Sequence, residues 1–85
     1  MAPRIEIFGH DHCRFTAAAR CFCEKRNYPY IYFDLRVPQN VARLNQRKPD
    51  AESPAIFLGN RDIGGHYDLV KADAEGVIQS VIGGS

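Results

Sequence analysis

Three short runs of β-forming residues, IEIF at 5–8, YIYFDL at 30–35 and AIFL at 55–58, are separated by two stretches patterned for helix. That alternation constrains the chain more than any other feature. Strands that alternate with helices pack as a sheet covered by those helices. A strand–helix–strand start gives a parallel pair joined by a right-handed crossover. Ile5 and Ile7 alternate with Arg4 and Glu6, and Phe8 ends the run, so a strand is predicted over Pro3–Phe8. Cys13–Arg26 holds three consecutive alanines and neither Pro nor Gly, which predicts a helix of about four turns. Asn27-Tyr28-Pro29 ends it. Tyr30–Leu35 is β-branched and aromatic, hence a strand. Pro38–Arg47 opens with Pro in a first turn and carries Val41 and Leu44 at helical spacing. Pro49–Pro54 reads as loop. Ala55–Leu58 and Arg61–Ile63 flank Gly59-Asn60 and predict a hairpin. Gly64-Gly65 reads as a hinge, and Asp68–Ile82 as helix interrupted at Gly76. The expected fold is therefore α/β, in the order β-α-β-α-β-β-α, with a four-stranded mixed sheet flanked by helices.

The chain of 85 residues is read as one domain, with residues 83–85 (GGS) as a frayed tail. A net charge of +1 offers no basic excess for nucleic acid. The apolar runs fall far short of the ~20 residues that span a bilayer, so no membrane partner is expected. MAPRIEIF lacks the apolar region of a signal peptide, and a cytoplasmic location is expected. Three cysteines, an odd number, argue against a disulfide framework and for a buried or reactive thiol.

All three lie in HDHCRFTAAARCFCEK, residues 10–25, together with His10 and His12. A zinc site is the first reading of such a cluster. Helix geometry opposes it. Cys21 would lie about 12 Å along the axis from Cys13, and Cys23 about 15 Å, whereas a zinc–sulfur bond is about 2.3 Å. Cys21 and Cys23 would sit about 200° apart around the helix. No metal site is therefore predicted from these residues alone. The same wheel puts Phe15, Ala18, Ala19, Phe22 and Arg26 on the core stripe, with Cys23 on its flank as a small core residue. It puts Arg14, Ala17, Arg20, Cys21 and Glu24 on the other side. Cys13 falls where loop becomes helix. Free backbone N–H groups and the positive end of the helix dipole there favour thiolate over thiol, and Arg14, with protonated His10 or His12, adds to that.

Taken with this, the sequence resembles the glutaredoxins, within the thioredoxin-like fold, over nearly the whole chain. IEIF followed by a loop and C-R-F-T resembles the family's strand and C-P-Y-C or C-G-F-S. YIYFDL resembles its second strand, S-P-A-I-F-L-G its T-V-P-Q-I-F segment, and I-G-G-H-Y-D-L its I-G-G-x-x-D-L. The resemblance implies a glutathione-dependent thiol–disulfide oxidoreductase active in electron transport. Cys13 matches the nucleophile and Phe15 the aromatic bordering the glutathione groove. Ser53 and a cis Pro54 match the pair facing the thiolate, where the main chain before proline binds glutathione like an added strand. Gly64 and Gly65 match the glycine pair. Tyr67 and Asp68 match the start of the last helix, which receives the γ-glutamyl amine and carboxylate.

Thr16 stands where dithiol relatives carry a second cysteine, so the resemblance implies a monothiol route, with Thr16 donating a hydrogen bond to the Cys13 thiolate. His10 replaces the family's lysine, which helps bind the glycine carboxylate; an imidazole carries charge only near pH 6.5 or below. His10, Arg14, Arg47 and Lys48 are the candidate partners of that carboxylate. Asp11 and Glu52 are acidic intrusions, and Asp11 is expected to oppose a lowered thiol pKa. The expected substrates are glutathionylated or disulfide-containing proteins, acted on by a monomer. Two alternatives stay open. In one, Cys13 and glutathione bind a [2Fe–2S] cluster between two subunits, as in C-G-F-S glutaredoxins. In the other, the domain is a catalytically weak glutathione-binding or interaction module.

Overall fold

The computed structural model describes residues 4–82. Its elements are β1 (Ile5–Gly9), α1 (Arg14–Lys25), β2 (Tyr30–Asp34), α2 (Pro38–Arg47), β3 (Ala55–Leu58), β4 (Arg61–Gly64), α3 (His66–Ala74) and α4 (Val77–Ile82). The strands form one mixed sheet in the order β2-β1-β3-β4. β1 pairs parallel with β2 and antiparallel with β3, and β3 pairs antiparallel with β4. Pro3 and the expected tail at 83–85 lie outside the described residues.

The period of two along β1 sorts its side chains onto two faces. Ile5 and Ile7 join Ala19, Cys23, Ile56, Leu58, Leu69 and Ile78 in the larger core, beneath α1, α3 and α4. Phe8 points the other way, to Leu44 of α2, Ala55 and Phe57. Each buried Ile, Leu or Phe contributes roughly 1.5–3 kcal/mol. All four residues of β3 are buried, as befits a strand with neighbours on both sides.

The face under α2 is covered differently. Phe8 stacks on Phe33 at 4.6 Å and meets Phe57 edge-on at 5.8 Å. α2 places only Leu44 in this core and closes the rest with arginines. Arg47 lies 3.9 Å over the Phe57 ring, and Arg43 lies 5.7 Å over Phe33. Arg47 also donates to Glu6 at 2.5 Å and to the Gly59 carbonyl at 2.6 Å. A polar helix is thus held on an aromatic surface by cation–π contact and by its long apolar stems.

Several boundaries differ from expectation. Cys13 is the N-cap of α1, not its first turn. The last helix begins at His66 and breaks at Gly76, whose φ of 82° is left-handed, giving α3 and α4. The wheel placed Phe15 and Arg26 on the core stripe. Instead Thr16 is buried with Ala19 and Cys23, while Phe15 is 54% exposed. The buried face is rotated because α1 packs its first turn against the end of β1. There Gly9 makes room: a Cβ on it would stand 2.4 Å from Thr16 Oγ1 and 2.8 Å from Cγ2. Thr16 is β-branched and buried, so it has little freedom to yield.

The other end of α1 is tied to α3 through Asp73. It accepts from the Tyr28 hydroxyl and pairs with Arg26 at 3.2 Å. Burial first, and Asp73 second, push the Tyr28 phenol pKa up. Gly9→Ala is expected to lower stability by about 1–3 kcal/mol through overpacking, read as a fall in Tm. An unchanged Tm would show that the contact between β1 and α1 is slack.

Candidate active site

Cys13 owes its position to the turn at 10–13, in which its N–H donates to the His10 carbonyl at 3.0 Å. As N-cap it has extended dihedrals (φ −82°, ψ 117°), and its carbonyl accepts from Thr16 and Ala17 to start α1. Its side chain makes no capping bond. The N–H groups at the start of α1 are therefore left without a side-chain cap. The thiol donates to the Ser53 carbonyl at 3.9 Å, a contact spanning forty residues of sequence. The Ser53–Pro54 peptide is cis, the geometry the family resemblance implied. Ser53 Oγ lies 3.3 Å from Thr16 Oγ1 and accepts from the His10 N–H at 3.3 Å. One serine thus joins the loop before β3 to both the loop and the helix that hold Cys13.

The hydrogen-bond donors around the sulfur hold the Cys13 pKa below that of an ordinary thiol. The Thr16 hydroxyl is the largest cause. Burial opposes it, and the backbone N–H groups of Thr16 and Phe15 and the Ser53 hydroxyl add to the lowering. The expected help from Arg14, His10 and His12 is not among the leading causes, and neither is the expected opposition from Asp11. The Asp11 carboxylate is taken up elsewhere. It accepts from the Tyr32 hydroxyl at 2.7 Å and from Arg36 at 2.6 Å, and the same guanidinium also holds Asp34. Arg36 in turn keeps the Asp34 pKa low. Cys23, by contrast, is fully buried, and burial pushes its thiol up to about 12. Cys21 is exposed on the outer side of α1.

Beside the thiol, a cleft of about 600 Å³ runs between segment 48–54 and the β4–α3 junction. Ser53 and Pro54 form one wall, and Gly64, Gly65, Tyr67 and Asp68 the other, with Phe15 also on its lining. Gly64 has φ 112°, and a Cβ there would lie 2.5 Å from Asp68 Oδ2. Gly65 is the N-cap of α3, and its N–H donates to Asp68 Oδ2 at 2.9 Å. Asp68 is therefore the third residue of α3, and its carboxylate reaches back to the N-cap N–H without being the N-cap itself. Tyr67 is 76% exposed on the rim.

Of the candidate residues, the structure brings Cys13, Thr16, Phe15, Ser53, Pro54, Gly65, Tyr67 and Asp68 to this one end of the sheet. Phe15, Ser53, Pro54, Gly65, Tyr67 and Asp68 line the cleft, Cys13 and Thr16 reach its wall through their contacts with Ser53, and His10, Arg14 and Arg47 do not line it. His10 reaches the site only through its backbone, and Arg14 is exposed. Arg47 is committed to Glu6, Gly59 and the Phe57 ring. Lys48, the next residue, is the basic side chain on the lining. His66, which no sequence pattern singles out within I-G-G-H-Y-D-L, also lines the cleft, its ring stacked on Phe15 with centroids 6.3 Å apart. Its place directly after the glycine pair, not a pattern, was the available signal.

No protein-family model and no curated protein match the sequence. Solved structures do match the fold. A buckwheat glutaredoxin–glutathione complex superposes with a TM-score of 0.78 at 16% identity, covering 95% of this chain and 77% of that one. A dithiolic glutaredoxin from Trypanosoma brucei brucei gives 0.77 at 20%, covering 94% and 87%. Reduced glutaredoxin from Escherichia coli gives 0.72 at 28%, covering 87% and 96%. The chain thus has the thioredoxin-like fold of the glutaredoxins.

A resident iron–sulfur cluster does not fit the residues of one chain. The described residues contain no group of three His, Cys, Asp or Glu side chains placed to hold a metal ion. Cys13 is the one thiol in contact with the cleft wall, through Ser53, so further ligands would have to come from outside the chain.

Thr16→Val keeps the shape of the side chain and removes the hydroxyl. It is expected to raise the Cys13 pKa, because the lost hydrogen bond favours the thiolate. In pH-dependent alkylation of Cys13, the rate rises with the thiolate fraction, so its midpoint should move to higher pH. A midpoint that stays put would remove Thr16 from the activation of the thiol.

Proposed function

We propose that this chain is a glutathione-dependent thiol–disulfide oxidoreductase that reduces protein–glutathione mixed disulfides by a monothiol mechanism. The observation that carries the reading is a thiol of lowered pKa at a helix N-cap, against the Ser53 main chain and an open cleft. The buckwheat neighbour is a complex with glutathione, which supports the same ligand here.

In this reading the glutathione half of the substrate lies in the cleft. The Ser53 backbone pairs with its cysteinyl part, Asp68 takes the γ-glutamyl ammonium, and the first N–H groups of α3 take the adjacent carboxylate. The Asp68 carboxylate already accepts from Gly65, and a carboxylate has capacity for further donors. Phe15 and Tyr67 shield the disulfide from the sides. The Cys13 thiolate attacks the glutathione sulfur. The old S–S bond breaks, the protein leaves as a thiolate that gains a proton from solvent, and a Cys13–glutathione disulfide forms. A second glutathione thiolate attacks the bound glutathione sulfur and releases oxidised glutathione and the Cys13 thiolate. The protein cysteine is reduced, and one free glutathione is oxidised as it joins the glutathionyl group taken from the substrate in one disulfide.

Thr16 occupies the position from which a second cysteine would resolve this intermediate. Cys23 is buried with its thiol raised to about 12, so resolution falls to glutathione. The reading places the chain in the cytoplasm as a monomer acting on glutathionylated proteins.

Turnover of a glutathionylated test protein is expected to fall to background in Cys13→Ser and to persist within about twofold in Cys21→Ser and Cys23→Ser, since attack needs a thiolate. Activity that survives Cys13→Ser would overturn the assignment of the nucleophile.

A further inference from the structure

The cleft is poor in free positive charge. Asp50, Glu52 and Asp68 all line it, and Lys48 is the basic side chain set against them. Lys48 is itself engaged. Its ammonium lies 3.2 Å from one carboxylate oxygen of Asp62 and 3.1 Å from the other. Asp62 belongs to β4, opposite Phe57 in the β3–β4 ladder, and is half exposed. It makes no contact with Cys13, Ser53 or Thr16 among the hydrogen bonds of the site.

We infer that Asp62 is a specificity-determining residue of this cleft, acting as an internal competitor for Lys48. The inference rests on the reading that the cleft takes glutathione. A glutathione anchored by its γ-glutamyl end at α3 has a second carboxylate, on glycine, to place. The cation that lines the cleft already holds a carboxylate at contact distance. Binding then exchanges one carboxylate for another on the same ammonium, and such an exchange gains little. The neighbouring Asp50 and Glu52 oppose the incoming charge as well. A thiol whose glycine carboxylate is blocked as an ester or amide forgoes no interaction, because Lys48 simply stays on Asp62. The natural cleft therefore accepts carboxyl-blocked glutathione derivatives about as well as glutathione, and Asp62 is what makes it tolerant.

The test uses the full chain on two mixed disulfides of one test protein, made with glutathione or with its glycyl ethyl ester, and reduced glutathione resolves both. KM and kcat are measured for each mixed disulfide, in the wild type, Asp62→Asn, Lys48→Gln and the double variant. The expected wild-type KM values for the two agree within about twofold. In Asp62→Asn, KM for the free-acid mixed disulfide should fall by about two- to fivefold, the range of an exposed ion pair. KM for the ester and both kcat values should hold. In the double variant the preference for the free acid should vanish, because Asp62 acts through Lys48.

A wild type that already prefers the free acid strongly would overturn the inference, as would an unchanged ratio in Asp62→Asn. A gain that survives in the double variant would also overturn it, by exposing a general field effect in place of competition for Lys48. These results leave the functional reading intact. Only a wild type inert towards both mixed disulfides removes that reading, and the inference falls with it.

Discussion

The hydroxyl of Thr16 is buried, and a buried hydroxyl without a partner is costly. Its partner is the Ser53 hydroxyl at 3.3 Å, and that requirement organises the active end of the molecule. To bring Thr16 there, α1 must approach the end of β1 so closely that only glycine fits at position 9. To bring Ser53 there, the loop before β3 must cross over the start of α1, which sets its carbonyl against the Cys13 thiol. The same hydroxyl is the largest influence on that thiol. Packing and reactivity thus share one contact, so disturbing it should alter both.

Around this contact the charges are arranged to leave the sulfur alone. Asp11 stands two residues before Cys13, close enough in sequence to threaten a thiolate. Tyr32 and Arg36, from β2 and the turn after it, hold its carboxylate. Arg20 of α1 lies 4.2 Å over the Tyr32 ring, binding the helix to the same group. What lowers the thiol pKa is a set of short-range donors, not the net charge of the neighbourhood. Hydrogen bonds of this kind are less sensitive to salt than exposed charges would be.

Much of this was legible in the sequence, and for definite reasons. The period-two run at Ile5–Phe8 and the continuous apolar AIFL gave their strands because one is interior with two distinct faces and the other is buried throughout. Gly59-Asn60 placed the hairpin, and Cys13 at the loop–helix junction placed the thiol. The cis peptide at Pro54 and the place of the glycine pair beside the cleft came from the family resemblance, since no periodicity bears on either. What the sequence concealed were matters of rotation and pairing. A helical wheel treats Phe15 as core because it is apolar. The contact with Gly9 turns α1 so that Thr16 goes in and Phe15 comes out to the cleft. Arg47 and Lys48 are adjacent and chemically alike. Only the packing of α2 on Phe57 shows that the first is used in the fold and the second faces the cleft. The pairing of Asp11 with Arg36 joins residues far apart in sequence, and no local pattern announces it.

The central claim is an activated Cys13 thiol beside a glutathione-binding cleft. Its most direct test is pH-dependent alkylation of Cys13 in the Cys21→Ser, Cys23→Ser background, with and without reduced glutathione. The account predicts a midpoint well below the ordinary thiol value of ~8.5 and slower alkylation when glutathione is present. A midpoint at or above that value, with no protection by glutathione, would contradict it and leave a glutaredoxin fold without the corresponding chemistry.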